Sequence, residues 1–380
     1  SNEDVSTGYT SHDNQKIIHS NHARNELLEA LYEVPLPTTY GELDEVNDEF
    51  KDMDPRHIIQ WAHHHMVIPK QGEMHPLVQV TSLGPTGLVI LHLLSQLNLL
   101  KDLPIISMDT LHLFPESYDF YKTIQSYYSS EALELVITKP LRIEYDTPGM
   151  DGEGVVAGVI ERRIEFDKIY GTTLWKSDPE LYTKLSKIDP LDKLLYEWNT
   201  HMWITGRRRS SGGERSDMDV LEFELLSDHN FDESKPFHKG MGRWKLNPLA
   251  YWTYDQVWNY IRSHKLPYNA LYDKGYTSLG DEMTTVLPRT NASGTRDAVD
   301  AFERSGRFVG MNNKTECGLH THLQKVKKLK DQAMESGEVL TAPKLVCDKC
   351  IELNVNNFET VLTERGRKGD ALLLEFYSPY

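Results

Sequence analysis

The sequence predicts an α/β protein built on a parallel sheet, and three stretches carry that prediction. Residues 77–81 read as a short apolar strand that runs through a small-residue turn into an apolar helix ending near Leu100. Residues 104–108 repeat the pattern with a helix over 117–128, and 133–137 supply a third strand. Strands alternating with helices imply right-handed crossovers into one parallel sheet, whose ligands sit outside the carboxyl ends of the strands.

Composition narrows the class. The chain has 380 residues, 39% hydrophobic and 26% charged, with room for one large domain or two smaller ones. Its formal net charge of -16 argues against nucleic-acid binding, because phosphate backbones are held by basic surfaces. No run of about 18 apolar residues exists to span a membrane, and the N-terminus lacks a charged-then-apolar signal pattern. Three cysteines cannot form a disulfide framework and suit a reducing compartment, either cytoplasmic or plastid.

In chain order, residues 1–53 are polar and acidic and read as an N-terminal arm or lid, with a helix over 22–32 and disorder as the alternative. An amphipathic helix is expected from Asp54 to Pro69, with Asp54 as N-cap and Pro55 at the first helical position. The triplet His63-His64-His65 is a poor metal site, since adjacent helical positions point in different directions. After the first strand, Ser82-Leu83-Gly84-Pro85-Thr86-Gly87 stands where backbone N–H groups and a helix N-terminus meet an anion, although many such turns carry no ligand. Asp109 stands at the end of the second strand.

A helical region over 178–198 leads into a strand at 201–205, and then into Gly206-Arg207-Arg208-Arg209-Ser210-Ser211-Gly212-Gly213-Glu214-Arg215-Ser216. Four arginines with glycines and serines at a strand's carboxyl end form a local anion signal, because guanidinium forks match phosphate or sulfate oxygens. A surface turn rich in arginine is the alternative. A helix over 253–264 is expected with Thr253 as N-cap. Turn-rich segments follow, and then a polar stretch over 289–315 that is expected to be mobile, with Arg289, Arg296, Arg304 and Arg307 dispersed through it.

Cys317 lies between Lys314 and His320. A thiol is nucleophilic only as the thiolate, and a neighbouring Lys or protonated His lowers its pKa from about 8.5. Taken alone, Cys317 reads first as a buried or idle cysteine.

The stretches 107–116, 203–216, 245–285 and 314–320 resemble, in order, the motif set of the assimilatory sulfonucleotide reductases. That family includes the thioredoxin-dependent phosphoadenylyl-sulfate (PAPS) reductases. The similarity spans residues 55–325, and its most specific mark is Glu316-Cys317-Gly318-Leu319-His320. It implies an adenine-nucleotide α-hydrolase-like fold in which 81–87 is a modified pyrophosphate (PP) loop, with a mobile C-terminal catalytic segment. Cluster-bearing forms place a Cys-Cys pair and a Cys-x-x-Cys pair where this chain has Tyr182-Thr183 and Asp281 with Thr284. A [4Fe–4S] cluster wants about four thiolates, so none is expected, and no metal. Cluster-free members mostly use PAPS, but a cluster-free branch acts on adenylyl sulfate (APS), so the substrate stays open between the two.

The resemblance further implies the chemistry. The Cys317 thiolate would attack the sulfate sulfur, with Lys314 and His320 near the reacting atom. Arg207, Arg208, Arg209 and Arg215 would surround the phosphates and sulfate, and Ser82, Gly84, Thr86 and Gly87 would cradle an anion. Asp109 would sit near the adenosine, unless it is only a helix cap. The electron donor would be thioredoxin or a fused thioredoxin-like domain, and the family's habit of dimerising leaves a homodimer open.

The domain expectation follows: an arm at 1–53, a reductase domain at 54–325, a helical linker at 326–345, and the truncated start of a thioredoxin-like domain at 346–380. The closing Leu374-Glu375-Phe376-Tyr377-Ser378-Pro379-Tyr380 is similar to the strand that precedes the redox Cys-x-x-Cys of such domains. Cys347 and Cys350 are either a relay dithiol or an idle pair; no matching ligands make them a zinc site. Rival readings are an ATP-dependent pyrophosphatase or adenylyltransferase of the same fold, and a non-catalytic nucleotide-binding or redox module.

Overall fold

Strand β1 (Leu77–Val80) is buried along its whole length, as a central parallel strand covered on both faces must be. The computed structural model describes residues 29, 31–37, 40–68, 75–144, 155–225, 242–288, 303–304 and 306–311. β1 pairs in parallel with β2 (Ile105–Met108), which pairs with β3 (Leu135–Thr138). The hairpin of β4 (Leu141–Glu144) and β5 (Val155–Val159) forms a separate antiparallel sheet. On its other side β1 pairs with β6 (Met202–Thr205), in register from Leu77↔Met202 to Val80↔Thr205. Two further strands, β7 (Leu221–Leu225) and β8 (Gly242–Leu246), complete the six-stranded order β3-β2-β1-β6-β8-β7, in which only β7 runs antiparallel.

Side-chain alternation places a core on each face. Leu77, Ile105, Met202 and Ile204 point into the larger cluster, while Val78, Val80, Ile106 and Trp203 enter the smaller one. The larger core is covered by α1 (Tyr40–Phe50), α2 (Pro55–Met66), α3 (Pro85–Gln96), α4 (Pro115–Tyr127) and one later helix. Proline at the first turn of α2, α3 and α4 marks their starts, because its missing N–H would be unpaired there in any case. Asp54 caps α2 as expected, accepting from the Arg56 N–H at 2.8 Å. The third helix-rich part of the chain contains α5 (Arg163–Tyr170), α6 (Leu174–Ser177), α7 (Pro179–Thr183), a π turn (Lys184–Ile188) and α8 (Asp189–Glu197). Leu191 and Leu195 of α8 close the smaller core. The remaining helix, α9 (Tyr254–Ser263), starts with a complete capping box between Thr253 and Gln256 and packs on α3.

Three features differ from the sequence expectation. Residues 40–50, which polarity assigns to an arm, form α1 and bury Leu43, Val46 and Phe50 in the main core. The Asn47 side-chain amide also pairs with both backbone groups of Leu221, so α1 shields the edge strand β7. The polar connection after β3 contains the β4–β5 hairpin. The helical region expected over 178–198 contains an unforeseen π turn, since Pro190 has no N–H to continue the α ladder; the chain widens, and Asp189 N–H bonds to the Lys184 carbonyl.

Chain connections leave β1 toward β2 and β3 on one side, while β6 and β8 extend the sheet on the other. The carboxyl ends of β1 and β6 therefore flank a topological switch point, where open α/β sheets bind ligands.

Candidate active site

The turn after β1 is held from within. Thr81 Oγ1 accepts from the Leu83 N–H at 2.9 Å, and Leu83 takes a left-handed φ of 52°. Gln79 Nε2 donates to the Gly87 carbonyl at 2.9 Å. A Cβ on Gly87 would lie 2.0 Å from Thr81 Oγ1, so only glycine lets the first turn of α3 pack this closely on the strand end. Gly84 is the N-cap of α3 and offers no side-chain acceptor, which leaves the helix N-terminus to an outside anion or to water. Ser82 is exposed beside it.

The arginine segment meets this turn across the switch point. A Cβ at Gly206 would lie 3.1 Å from the Gly87 nitrogen, so the two loops are in direct backbone contact. Arg207 is buried and pairs with Glu222 at 2.7 Å. Arg208 is 1% exposed; it donates to Thr86 Oγ1 at 3.0 Å and pairs with Glu303 at 2.6 Å, and it also reaches Ser210 and the Trp252 carbonyl. Arg209 is half-buried and lies over the Tyr251 ring at 4.9 Å, and its Nε has no hydrogen-bond partner. Arg215 is buried at the end of a short turn, Gly213–Arg215, reached through Gly212 and Gly213 at φ 70° and 63°. The segment thus combines two arginines paired with carboxylates with one, Arg209, that pairs with no carboxylate among the described residues.

On the β2 side of the turn is a cleft lined by Ser82, Gly84, Met108, Leu113, Ser117, Tyr121, Asn269, Tyr272 and Gly280 among others. Its walls are apolar and aromatic, with hydroxyl and amide groups at intervals, the lining general to small-molecule sites. No charged residue lines it among the described residues. Burial pushes the Tyr121 phenol up to about 12, and its oxygen lies 3.2 Å from Ser107 Oγ. Asp109 does not cap a helix, since the N-cap of α4 is Phe114. Its Oδ1 accepts from the Leu111 N–H at 2.7 Å and from the Tyr118 hydroxyl at 2.9 Å, bracing the loop under the cleft.

Three of the four positions that the resemblance matches to cluster cysteines, Tyr182, Asp281 and Thr284, come together. Asp281 accepts from Lys187 at 2.7 Å and Thr110 at 2.6 Å, and Thr284 Oγ1 donates to the Asp281 carbonyl at 3.3 Å. Tyr182 lies beside them with its oxygen 3.4 Å from His112 Nδ1, while Thr183 bonds to its own helix at the Pro179 carbonyl. Burial and then the Asp281 carboxylate push the Tyr182 phenol far above its usual range. With no thiolate among these donors the site does not fit an iron–sulfur cluster.

Sequence reasoning singled out the arginines but not the carboxylates that hold them, Glu222 and Glu303, nor the cleft residues Ser117, Asn269 and Tyr272. Lys314, Cys317 and His320 lie outside the described residues, as do Cys347, Cys350, Arg289 and Arg296.

A family model described as the phosphoadenosine phosphosulfate reductase domain matches residues 76–147 and 159–287. A phosphoadenosine phosphosulfate reductase of Emericella nidulans is 33% identical over 284 residues, covering 74% of this chain and 76% of that protein. An adenosine 5'-phosphosulfate reductase of Salinibacter ruber is 32% identical over 286 residues, covering 75% and 91%. A crystal structure of a Candida auris phosphoadenylyl-sulfate reductase, a phosphate complex, is 30% identical with a TM-score of 0.48, covering 66% of this chain and 99% of that one.

Proposed function

Because the chain belongs to the phosphoadenosine phosphosulfate reductase family, whose members reduce PAPS or APS in sulfate assimilation, we propose that it converts PAPS to sulfite and adenosine 3',5'-bisphosphate through a sulfonate on Cys317. The Cys317 thiolate attacks the sulfate sulfur, an S–S bond forms, and the S–O bond to the phosphate breaks with its electron pair leaving on the nucleotide. One thiol of an external or fused thioredoxin-like dithiol then attacks Cys317 Sγ and expels sulfite. Its second thiol releases Cys317, so the dithiol supplies both electrons and ends as a disulfide.

The observation that carries this reading is the pairing of two complementary surfaces around one turn. A cleft with no charged lining among the described residues lies on the β2 side of Ser82–Gly84, and the uncapped N-terminus of α3 faces the arginine segment on the β6 side. The leaving phosphate and the sulfonate are both anions, so preorganised donors and cations there stabilise the charge that develops. Arg209 would supply charge to the anion, Arg207, Arg208 and Arg215 would shape the loop, and Asp109 would hold the floor under the adenosine. Lys314 and His320 would stand near the sulfur.

One observation favours a second reading. No charged residue lines the cleft among the described residues, so nothing there balances a 3'-phosphate, and APS, giving AMP, fits that lining equally well. Sulfite release with PAPS and APS side by side, each with thioredoxin or glutathione, separates the two. Cys317→Ser should abolish sulfite formation with nucleotide affinity unchanged; full activity in that variant removes the thiolate mechanism.

A further inference from the structure

The π turn Lys184–Ile188 lies in the middle of a helical run and brings Lys187 inward, where the residue is only 9% exposed. Its Nζ is 2.7 Å from Asp281 Oδ2, and the other oxygen of that carboxylate accepts from Thr110 Oγ1 at 2.6 Å. Asp281 is 2% exposed. Burial pushes its carboxyl up, but Lys187 and Thr110, and then the charge of Arg307, outweigh burial and hold it below the usual carboxylate range. The ion pair is therefore formed, with both partners removed from water.

Two features at this point are costly. A π turn sacrifices regular helical bonding, and such turns occur often at functional sites. A buried ion pair gains little stability over packed apolar side chains, so its presence calls for another reason. The surrounding backbone supplies one. Asp281 forms an isolated bridge with Leu113, and the Glu282 N–H donates to the His112 carbonyl at 2.8 Å. Leu113 and Gly280 both line the nucleotide cleft, and each lies within three residues of a member of the tie. Lys187, Asp281 and Thr110 do not themselves line it.

We propose that Lys187, Asp281 and Thr110 are positioning residues that fix the placement of the cleft residues Leu113, Leu279 and Gly280 by tying the loop after β2 to the segment carrying Leu279 and Gly280. A carboxylate with one oxygen on a hydroxyl and the other on an ammonium fixes both distance and direction, which apolar packing does not. The inference rests on the nucleotide reading of the cleft.

The test measures adenosine 5'-monophosphate binding by calorimetry on the full chain, alongside sulfite kinetics and thermal unfolding. Thr110→Val keeps the shape and removes one hydrogen bond to Asp281. It should stay folded, raise the AMP Kd and the sulfonucleotide KM by about five- to tenfold, and leave kcat within about twofold. The neutral pair Lys187→Met/Asp281→Asn should recover a melting temperature near that of the unchanged chain, yet still bind AMP more weakly. If the double variant does not fold, Thr110→Val decides alone. Unchanged AMP affinity in a folded Thr110→Val variant overturns the inference. An unchanged chain that binds no AMP overturns the cleft reading first, and the inference with it.

Discussion

Arg208 and Arg209 are adjacent in the chain and opposite in environment. Arg208 is buried in four contacts that join α3, the arginine segment, the Trp252 carbonyl and Glu303, whereas Arg209 is half-buried against Tyr251 with a donor to spare. Removing one partner of a buried ion pair leaves the other charge desolvated, so Arg208→Ala should cost about 3–5 kcal/mol of stability. Arg209→Ala should cost under about 1 kcal/mol of stability and weaken sulfonucleotide binding by about 1.5–3 kcal/mol. Urea unfolding and nucleotide calorimetry on both variants check this; equal losses of stability would remove the distinction. The run of arginines is legible in the sequence, but its division of labour is not. The carboxylates that neutralise Arg207 and Arg208 lie 15 and 95 residues away, and no local pattern links them.

At the scale of elements, the turn between β1 and α3 depends on glycine at one close approach. A methyl group on Gly87 would meet Thr81 Oγ1 at 2.0 Å and Thr81 Cβ at 3.1 Å. Gly87→Ala should therefore destabilise by about 1–3 kcal/mol through overpacking and weaken nucleotide binding by displacing the start of α3. Thr81→Ala on its own should also cost stability, because Thr81 Oγ1 accepts the Leu83 N–H. The double variant should be more stable than the two single losses predict, since removing the hydroxyl makes room for the methyl. Strict additivity in urea unfolding would sink this account. Element starts were legible at Asp54-Pro55 and Thr253, where a cap announces them, whereas the helices that start at Pro85 and Pro115 begin earlier than the sequence reading placed them. The helix α1 and the strand β7 were not, because their apolar residues, spaced among acidic ones, acquire meaning only from the surfaces they cover.

The whole molecule carries several histidines that burial keeps neutral. His63, His65, His75 and His92 are all held below the ordinary value of 6.5, with burial the leading cause, and His65 falls to about 4. A group whose folded pKa lies below its unfolded pKa takes up its proton first in the unfolded chain. Below pH 6.5 the unfolded state therefore binds more protons than the folded state, and stability falls with pH. The His65 contribution is lost progressively between pH 6.5 and about 4 and changes no further below that. Melting temperatures measured from pH 8 to 4 should decline across this window, and His65→Gln should flatten part of the decline. A parent profile that is flat from pH 7 to 4 would contradict the burial of these rings. Asp281, held low, adds its own loss only below its ordinary value of 3.8.

By itself the sequence determined the α/β class, the parallel arrangement of the first strands, the family and the thiol expected to carry the chemistry. These are local or ordered signals: alternating strand and helix patterns, capping residues, and short motifs whose residue types are tied to their neighbours in the chain. Only the tertiary structure decided which arginines are paired with carboxylates, where a cleft without charged lining lies among the described residues, and that Lys187 and Asp281 meet. Those are contacts between residues far apart in sequence, made by the crossovers that bring the carboxyl ends of β1, β2 and β6 together, and charge balance in a buried site is settled by such contacts rather than by composition.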